Sequence, residues 1–138
     1  MINIERIFKF DAALIKELFN NINRSSSPNK RFFESDKNIF LTASEGNRYV
    51  GFLYAYILES PEIEQPRAFL YSIDIFGGFR RQKFGSALME ELKKICRVAN
   101  CMKIFVITEP QNKPAMEFYR YHNGILENEE EAMFVFDL

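Results

Sequence analysis

Between Tyr71 and Ala87 the chain reads YSIDIFGGFRRQKFGSA. β-forming residues run up to Ile75, a glycine-bearing basic loop follows, and a helical pattern begins at about Phe84. Backbone N–H groups in such a loop, and in the first turn of the helix, have no partner within the helix and point one way. With the helix dipole added, the arrangement suits an anion of the phosphate or pyrophosphate kind. Arg80, Arg81 and Lys83 add three positive charges. The spacing is neither GxxxxGK[ST] nor GxGxxG. The bland alternative is a loop whose arginines face water.

The same stretch holds a carboxylate. Asp74 lies between Ile73 and Ile75 on a strand expected to be mostly buried. Asp is disfavoured in strands, and burial drives a carboxyl toward its neutral form unless something compensates. An Asp there is therefore paired with a basic group or employed chemically, as a base or as the seat of an ammonium. Glu109, at the end of the next strand, is the second carboxylate candidate for an acceptor. Its other reading is a solvated strand-end charge.

These residues need elements to hold them. Ile2 to Phe8 alternates and reads as a strand. Asp11 can cap a helix over residues 12–22, on which Leu14, Ile15, Leu18, Phe19 and Ile22 form one stripe. Arg24 to Asn29 is a loop, and Ser25 to Lys30 is the candidate gate on an acceptor side. Asn38–Ala43 and Tyr49–Leu58 read as strands around a turn, and Arg67–Phe76 as a third. A helix from about Phe84 to Ala99 buries Phe84, Leu88, Leu92, Ile95 and Ala99. Met102–Ile107 is a continuous apolar run, expected as a strand covered on both faces. Asn112 caps a second helix with Pro114 in its first turn, and Asn123 or Gly124 stops it. Ala132–Phe136 reads as a last strand. The order predicts a mixed α/β single domain, residues 1–138, with at least one crossover.

Composition narrows the classes. The 138 residues are 47% hydrophobic and 27% charged, and fifteen Phe with six Tyr provide a substantial core, so disorder is excluded as the main state. A net charge of −1 gives no global drive toward nucleic acid or a membrane surface. No apolar run approaches the ~20 residues of a membrane span. Charges at Glu5, Arg6, Lys9 and Asp11 interrupt the region where a signal peptide needs an apolar stretch, which makes a cytoplasmic location the default. Cys96 and Cys101 form no disulfide framework or zinc quartet, and His122 is the only histidine, so no metal is expected. Buried structural thiols are the favoured reading of the two cysteines over a covalent nucleophile. Charge is unevenly spread: residues 80–103 carry seven basic and two acidic side chains, residues 104–138 two and seven. Should Glu59, Glu62, Glu64, Asp74, Glu109 and the acids of 127–131 share a cleft, it would attract polycations.

Arg80-Arg-Gln-Lys-Phe-Gly85 resembles the Arg/Gln-x-x-Gly-x-Gly/Ala signature of the Gcn5-related N-acetyltransferase (GNAT) superfamily, and Ser86-Ala-Leu-Met matches its usual continuation. Asn112-Lys-Pro-Ala-Met-Glu-Phe-Tyr119 resembles the superfamily's Asn-x-x-Ala-x-x-x-Tyr helix. Glu64-Gln-Pro-Arg67, the strand ending at Asp74 and Arg80-Arg-Gln82 together resemble the aminoglycoside 3-N-acetyltransferases. The resemblance covers about residues 50–137. Lys83 departs from it by standing where the signature has its first glycine.

The resemblance implies a central twisted sheet of six to seven strands flanked by about four helices. It implies acetyl-CoA as donor, bound by Ile75, Phe76, Arg80, Arg81, Gln82, Lys83, Phe84, Gly85, Ser86 and Asn112. It implies a small-molecule amine as acceptor, aminoglycoside- or polyamine-like, met by Asp74 and Glu109. Asp74 would be the base or amine-orienting group, and Tyr119 the acid that protonates the departing thiolate. A backbone N–H near Ile75–Gly77 would serve the oxyanion. Homodimers are common among such relatives. A peptide N-acetyltransferase and a non-catalytic acyl-CoA-binding module are the competing readings.

Overall fold

Asp11 starts the first helix as its spacing requires: its carboxylate accepts the Leu14 N–H at 3.1 Å and α1 runs Ala12–Asn20. The computed structural model describes residues 1–130 and 132–138. They form two compact units, Met1–Ile107 and Thr108–Leu138.

The first unit is built on one sheet of five strands in the order β1 (Ile2–Arg6), β2 (Asn38–Glu45), β3 (Arg48–Leu58), β4 (Arg67–Ile75), β5 (Ile104–Val106). Neighbours are antiparallel from β1 to β4, and β5 runs parallel to β4 after the crossover through α2 (Phe84–Val98). Phe52 and Leu53 on β3 are both fully buried, so both faces of the sheet centre are covered. Phe52 packs with Phe40, Phe76 and the α1 residues Ile15 and Leu18. α2 packs across β1 to β4; it buries Phe84, Leu88, Met89, Leu92 and Cys96, so the thiol takes the core position that the spacing gave to Ile95.

Residues directly opposite one another in an antiparallel pair share a face. Phe52 faces Asp74 and Tyr54 faces Ser72, so the carboxylate and the hydroxyl lie on the same side as the Phe40–Phe52 core. The register then slips between Tyr54 and Ala55, whose partner is Leu70. Tyr71 is the extra residue of this bulge; it is 57% exposed and its ring stacks on Tyr54 at 5.3 Å. At the other end of the pair Gly51 is obligatory. A Cβ there would lie 2.5 Å from the Asp74 carbonyl oxygen and 2.7 Å from Ile75 Cδ1.

Four expectations change. Lys30–Glu34 forms a short 3-10 helix capped by Asn29, which the turn-rich spacing did not show. β5 is three residues long, and each is half-buried at the sheet edge instead of covered on both faces. Residues 132–138 carry no strand: β propensity becomes a strand only when a neighbour supplies ladder hydrogen bonds, and none is formed among the described residues. Among the described residues five strands and three α-helices therefore stand where six to seven and about four were expected.

In the second unit α3 runs Lys113–Tyr121. Asn112 accepts the Ala115 N–H at 3.2 Å, and Pro114 sits in the first turn. Asn123 takes the left-handed conformation at φ 69°, and the Gly124 N–H closes the end on the Tyr119 carbonyl at 2.8 Å.

Gly51→Ala is expected to destabilise the fold by about 1–3 kcal/mol, because the new methyl overlaps backbone that cannot move freely. Urea unfolding followed by circular dichroism measures it; an unchanged midpoint would show that β4 yields without cost.

Candidate active site

Asp74 is half-buried near the end of β4, and its Oδ2 accepts the Ser72 hydroxyl at 2.7 Å. Among the described residues no basic side chain forms an ion pair with it. The choice left open by the sequence, a paired carboxylate or a functional one, is thus narrowed: its partner is a neutral hydroxyl. Three phenols surround this side of the sheet. Burial pushes the Tyr54 phenol up to about 12, helped by Tyr56 and Tyr71 and by the charge of Asp74, against a lowering from Arg24. Burial, then Tyr71, also raises Tyr56. Near neutral pH Tyr54 is a hydrogen-bond donor and cannot be a base.

The loop after β4 is held by its own groups. The Phe76 N–H donates to the Val50 carbonyl at 2.8 Å, the Phe79 N–H to Phe76 at 3.0 Å, Arg80 Nε to Ile75 at 3.3 Å and Gln82 Nε2 to Gly78 at 3.0 Å. Phe84 is buried and meets Phe79 edge-on at 6.3 Å, which pins both ends of the loop. Arg80, Arg81, Gln82 and Lys83 remain exposed, while Gly85 and Ser86 are half-buried in the first turn of α2. Gly78, Arg81 and Lys83 all have positive φ, 92°, 63° and 72°. Lys83 is the cap residue of α2 and gives it no side-chain hydrogen bond. The conformation at this position is one that glycine adopts without strain, which explains a glycine in the family signature.

Glu109, Asn112 and Tyr119 belong to the second unit. Glu109 is exposed and its carbonyl accepts the Asn112 N–H at 2.9 Å. The Asn112 side chain is engaged in capping α3. Tyr119 is half-buried and edge-on to Phe118 at 5.6 Å. The buried His122 ends the helix with its ring against Phe118 at 4.7 Å.

The structure brings Asp74, Ile75, Phe76 and Arg80 through Ser86 together at one end of β4. It does not assemble the acidic cleft in this unit. Glu59, Glu62 and Glu64 lie in the loop entering β4 at Arg67, seven residues and roughly 23 Å of strand from Asp74. Glu59 is paired there with Lys37 at 3.2 Å. Sequence reasoning passed over Ser72, Tyr54, Tyr56 and Tyr71. Ser72 was legible, because two residues apart on a strand means one face; the tyrosines depend on a bulge that spacing does not reveal. Both cysteines are free, and burial raises both thiols, Cys96 to about 12. They are neutral near pH 7, as structural thiols are. Among the described residues no cluster of three or more His, Cys, Asp or Glu could hold a metal ion, and no helix is long and apolar enough to cross a membrane.

The model of the acetyltransferase (GNAT) family matches residues 8–124. The chain belongs to that family. No curated protein matches the sequence. Solved structures do match the fold. An aminoglycoside acetyltransferase from an uncultured soil metagenomic sample, in complex with sisomicin, superposes with a TM-score of 0.88 at 22% identity over 99% of this chain and 96% of that one. A second soil-sample aminoglycoside acetyltransferase gives 0.81 at 25% identity over 100% and 97%. AAC(6')-Iy, in complex with a CoA-S-monomethyl-acetylneamine bisubstrate analogue, gives 0.82 at 16% identity over 100% and 99%.

Two outcomes are expected. Lys83→Gly removes left-handed strain of about 1–2 kcal/mol and adds back part of it as chain entropy. Its melting temperature should therefore rise slightly; a fall would mean that the lysine side chain itself supports the loop. The raised Tyr54 and Cys96 values make the folded state hold protons more tightly than the unfolded chain. That stability is complete below pH 9 and is lost as pH climbs to about 12. Urea midpoints across this range should fall less steeply for Tyr54→Phe and for Cys96→Ala than for the wild type.

Proposed function

We propose that residues 1–138 act as one acetyltransferase domain that moves an acetyl group from acetyl-CoA directly to a primary amine of a small polycationic acceptor, aminoglycoside- or polyamine-like. The observation that carries this is Asp74: a half-buried carboxylate without a cation partner, beside an exposed basic loop at a helix start.

The residues fit the donor. β4 pairs with β5 only over Ala68–Leu70, so Tyr71–Ile75 keep one edge that β5 does not cover, and such an edge suits an amide-bearing arm. Arg80, Arg81, Gln82 and Lys83 suit a diphosphate. Acetyl-CoA supplies an acyl group activated as a thioester. Asp74 orients the incoming ammonium and takes one proton from it, which frees the nitrogen lone pair to form the new N–C bond as the C–S bond breaks; the second nitrogen proton is lost to water as the neutral amide forms. Because Phe76 gives its N–H to Val50, Gly77 is the better oxyanion donor in this stretch. Tyr119 gives its proton to the departing sulfur; this role, like those of Asn112 and Glu109, rests on the resemblance of its segment to the family pattern.

A thiol-release assay with acetyl-CoA against spermidine, aminoglycosides and short peptides tests the reading. Release with the polycations is expected; release with peptides alone would favour a peptide acceptor. Asp74→Asn and Tyr119→Phe should each lower kcat by about 100-fold or more while acetyl-CoA still stabilises the protein thermally. Wild-type turnover in Asp74→Asn would remove Asp74 from the mechanism. No stabilisation by acetyl-CoA, where ~100 times Kd should give about 2.7 kcal/mol, would remove the donor.

A further inference from the structure

A cavity of about 210 Å³ lies on the Phe52–Tyr54 face of the sheet, between α1, the 3-10 helix and the loop Ser26–Asn29. Its walls are chiefly Phe19, Phe32, Phe33, Phe40 and Tyr54, and no charged side chain lines it. The rings offer both orientations that aromatic contacts favour. Phe40 and Tyr54 lie parallel at 6.1 Å, while Phe32 stands edge-on to both, at 6.3 and 6.1 Å. An apolar cavity of about 150 Å³ is enough to hold benzene, so this one admits an aromatic ring and the start of a chain. Sugar hydroxyls or a second ammonium would lose their water there and meet few polar partners.

One lining residue, Tyr54, connects the cavity to the carboxylate through the strand pairing. Tyr54 stands opposite Ser72, one inter-strand step of about 5 Å away, and the Ser72 hydroxyl is bonded to Asp74. The charge of Arg24 reaches Tyr54, and that of Asp74 reaches the same phenol. An amine tethered to a ring would thus be turned with its ammonium toward Asp74. The loop wall is the one able to give way: residues 25–29 have no regular structure, and Ser26 Oγ is buried without a hydrogen-bond partner.

From this we infer that the acceptor is an arylalkylamine, its ring seated in the cavity and its primary amine at Asp74. The inference rests on the acetyltransferase reading above and keeps its primary amine, but sets a ring-bearing monoamine against the polycation of that reading; the comparison with kanamycin decides between the two.

The test compares kcat/KM for 2-phenylethylamine, n-butylamine and kanamycin with acetyl-CoA as donor. At least a tenfold preference for 2-phenylethylamine over each is expected. Ser27→Trp, placed on the exposed part of the loop, should fill the cavity and bring the phenyl-to-butyl ratio toward one; Ser27→Phe serves if the larger ring disturbs folding. A wild-type ratio near one, or a ratio untouched by either variant, overturns the inference. If no amine is acetylated, the acetyltransferase reading fails separately. Equilibrium binding of 2-phenylethylamine then decides: saturable binding that Ser27→Trp abolishes upholds the ring site, and no binding overturns it.

Discussion

β4 is held on one side for its whole length and on the other for only three residues. β3 accompanies it to Ile75, but β5 leaves after Leu70. The close approach at Gly51 keeps the first pairing intact where the second has ended. Everything assigned to chemistry in this unit follows from that divergence. Tyr71–Ile75 keep an edge that β5 does not cover, Asp74 is held at a fixed height on the strand, and the chain must turn at Gly77–Gly78 to reach α2. Had β5 continued alongside, a ladder would occupy that edge.

Asp74 also shows how a charge is kept on an otherwise aromatic face. One hydroxyl, 2.7 Å away, satisfies one oxygen, and partial exposure leaves the carboxylate in contact with water. The Tyr54 phenol is kept neutral chiefly by burial, and the nearby negative charge of Asp74 adds to this by opposing a second one. One negative group set among neutral donors is an arrangement selective for a cation.

The parts of this fold that rest on local chemistry were legible in the sequence. The caps at Asp11 and Asn112, the buried stripe of α2 and the left-handed stop at Asn123 each need only a few consecutive residues. What escaped depends on distant neighbours. The half-covered β5 and the unpaired 132–138 segment are set by whether another strand arrives, which propensity does not encode. The charge blocks misled in part for the same reason. Lys93 and Lys94 belong to the basic stretch, yet they lie beside Glu90 and Glu91 at 3.8 and 3.7 Å on α2, so Arg80, Arg81 and Lys83 form the part that faces the candidate site. The phenylalanines read as core, and Phe40 is, but Phe19, Phe32, Phe33 and one side of Phe40 also line an open cavity.

The chain has no tryptophan and six tyrosines, of which Tyr54, Tyr56 and Tyr71 cluster on the β3–β4 pair with ring centres 5.3–6.3 Å apart. Their ultraviolet emission is therefore not masked by indole. Half of the protein's tyrosines stand together on the strand pair that carries Asp74, and Tyr54 feels its charge, so anything that displaces water there changes an optical property the molecule already has, without a label.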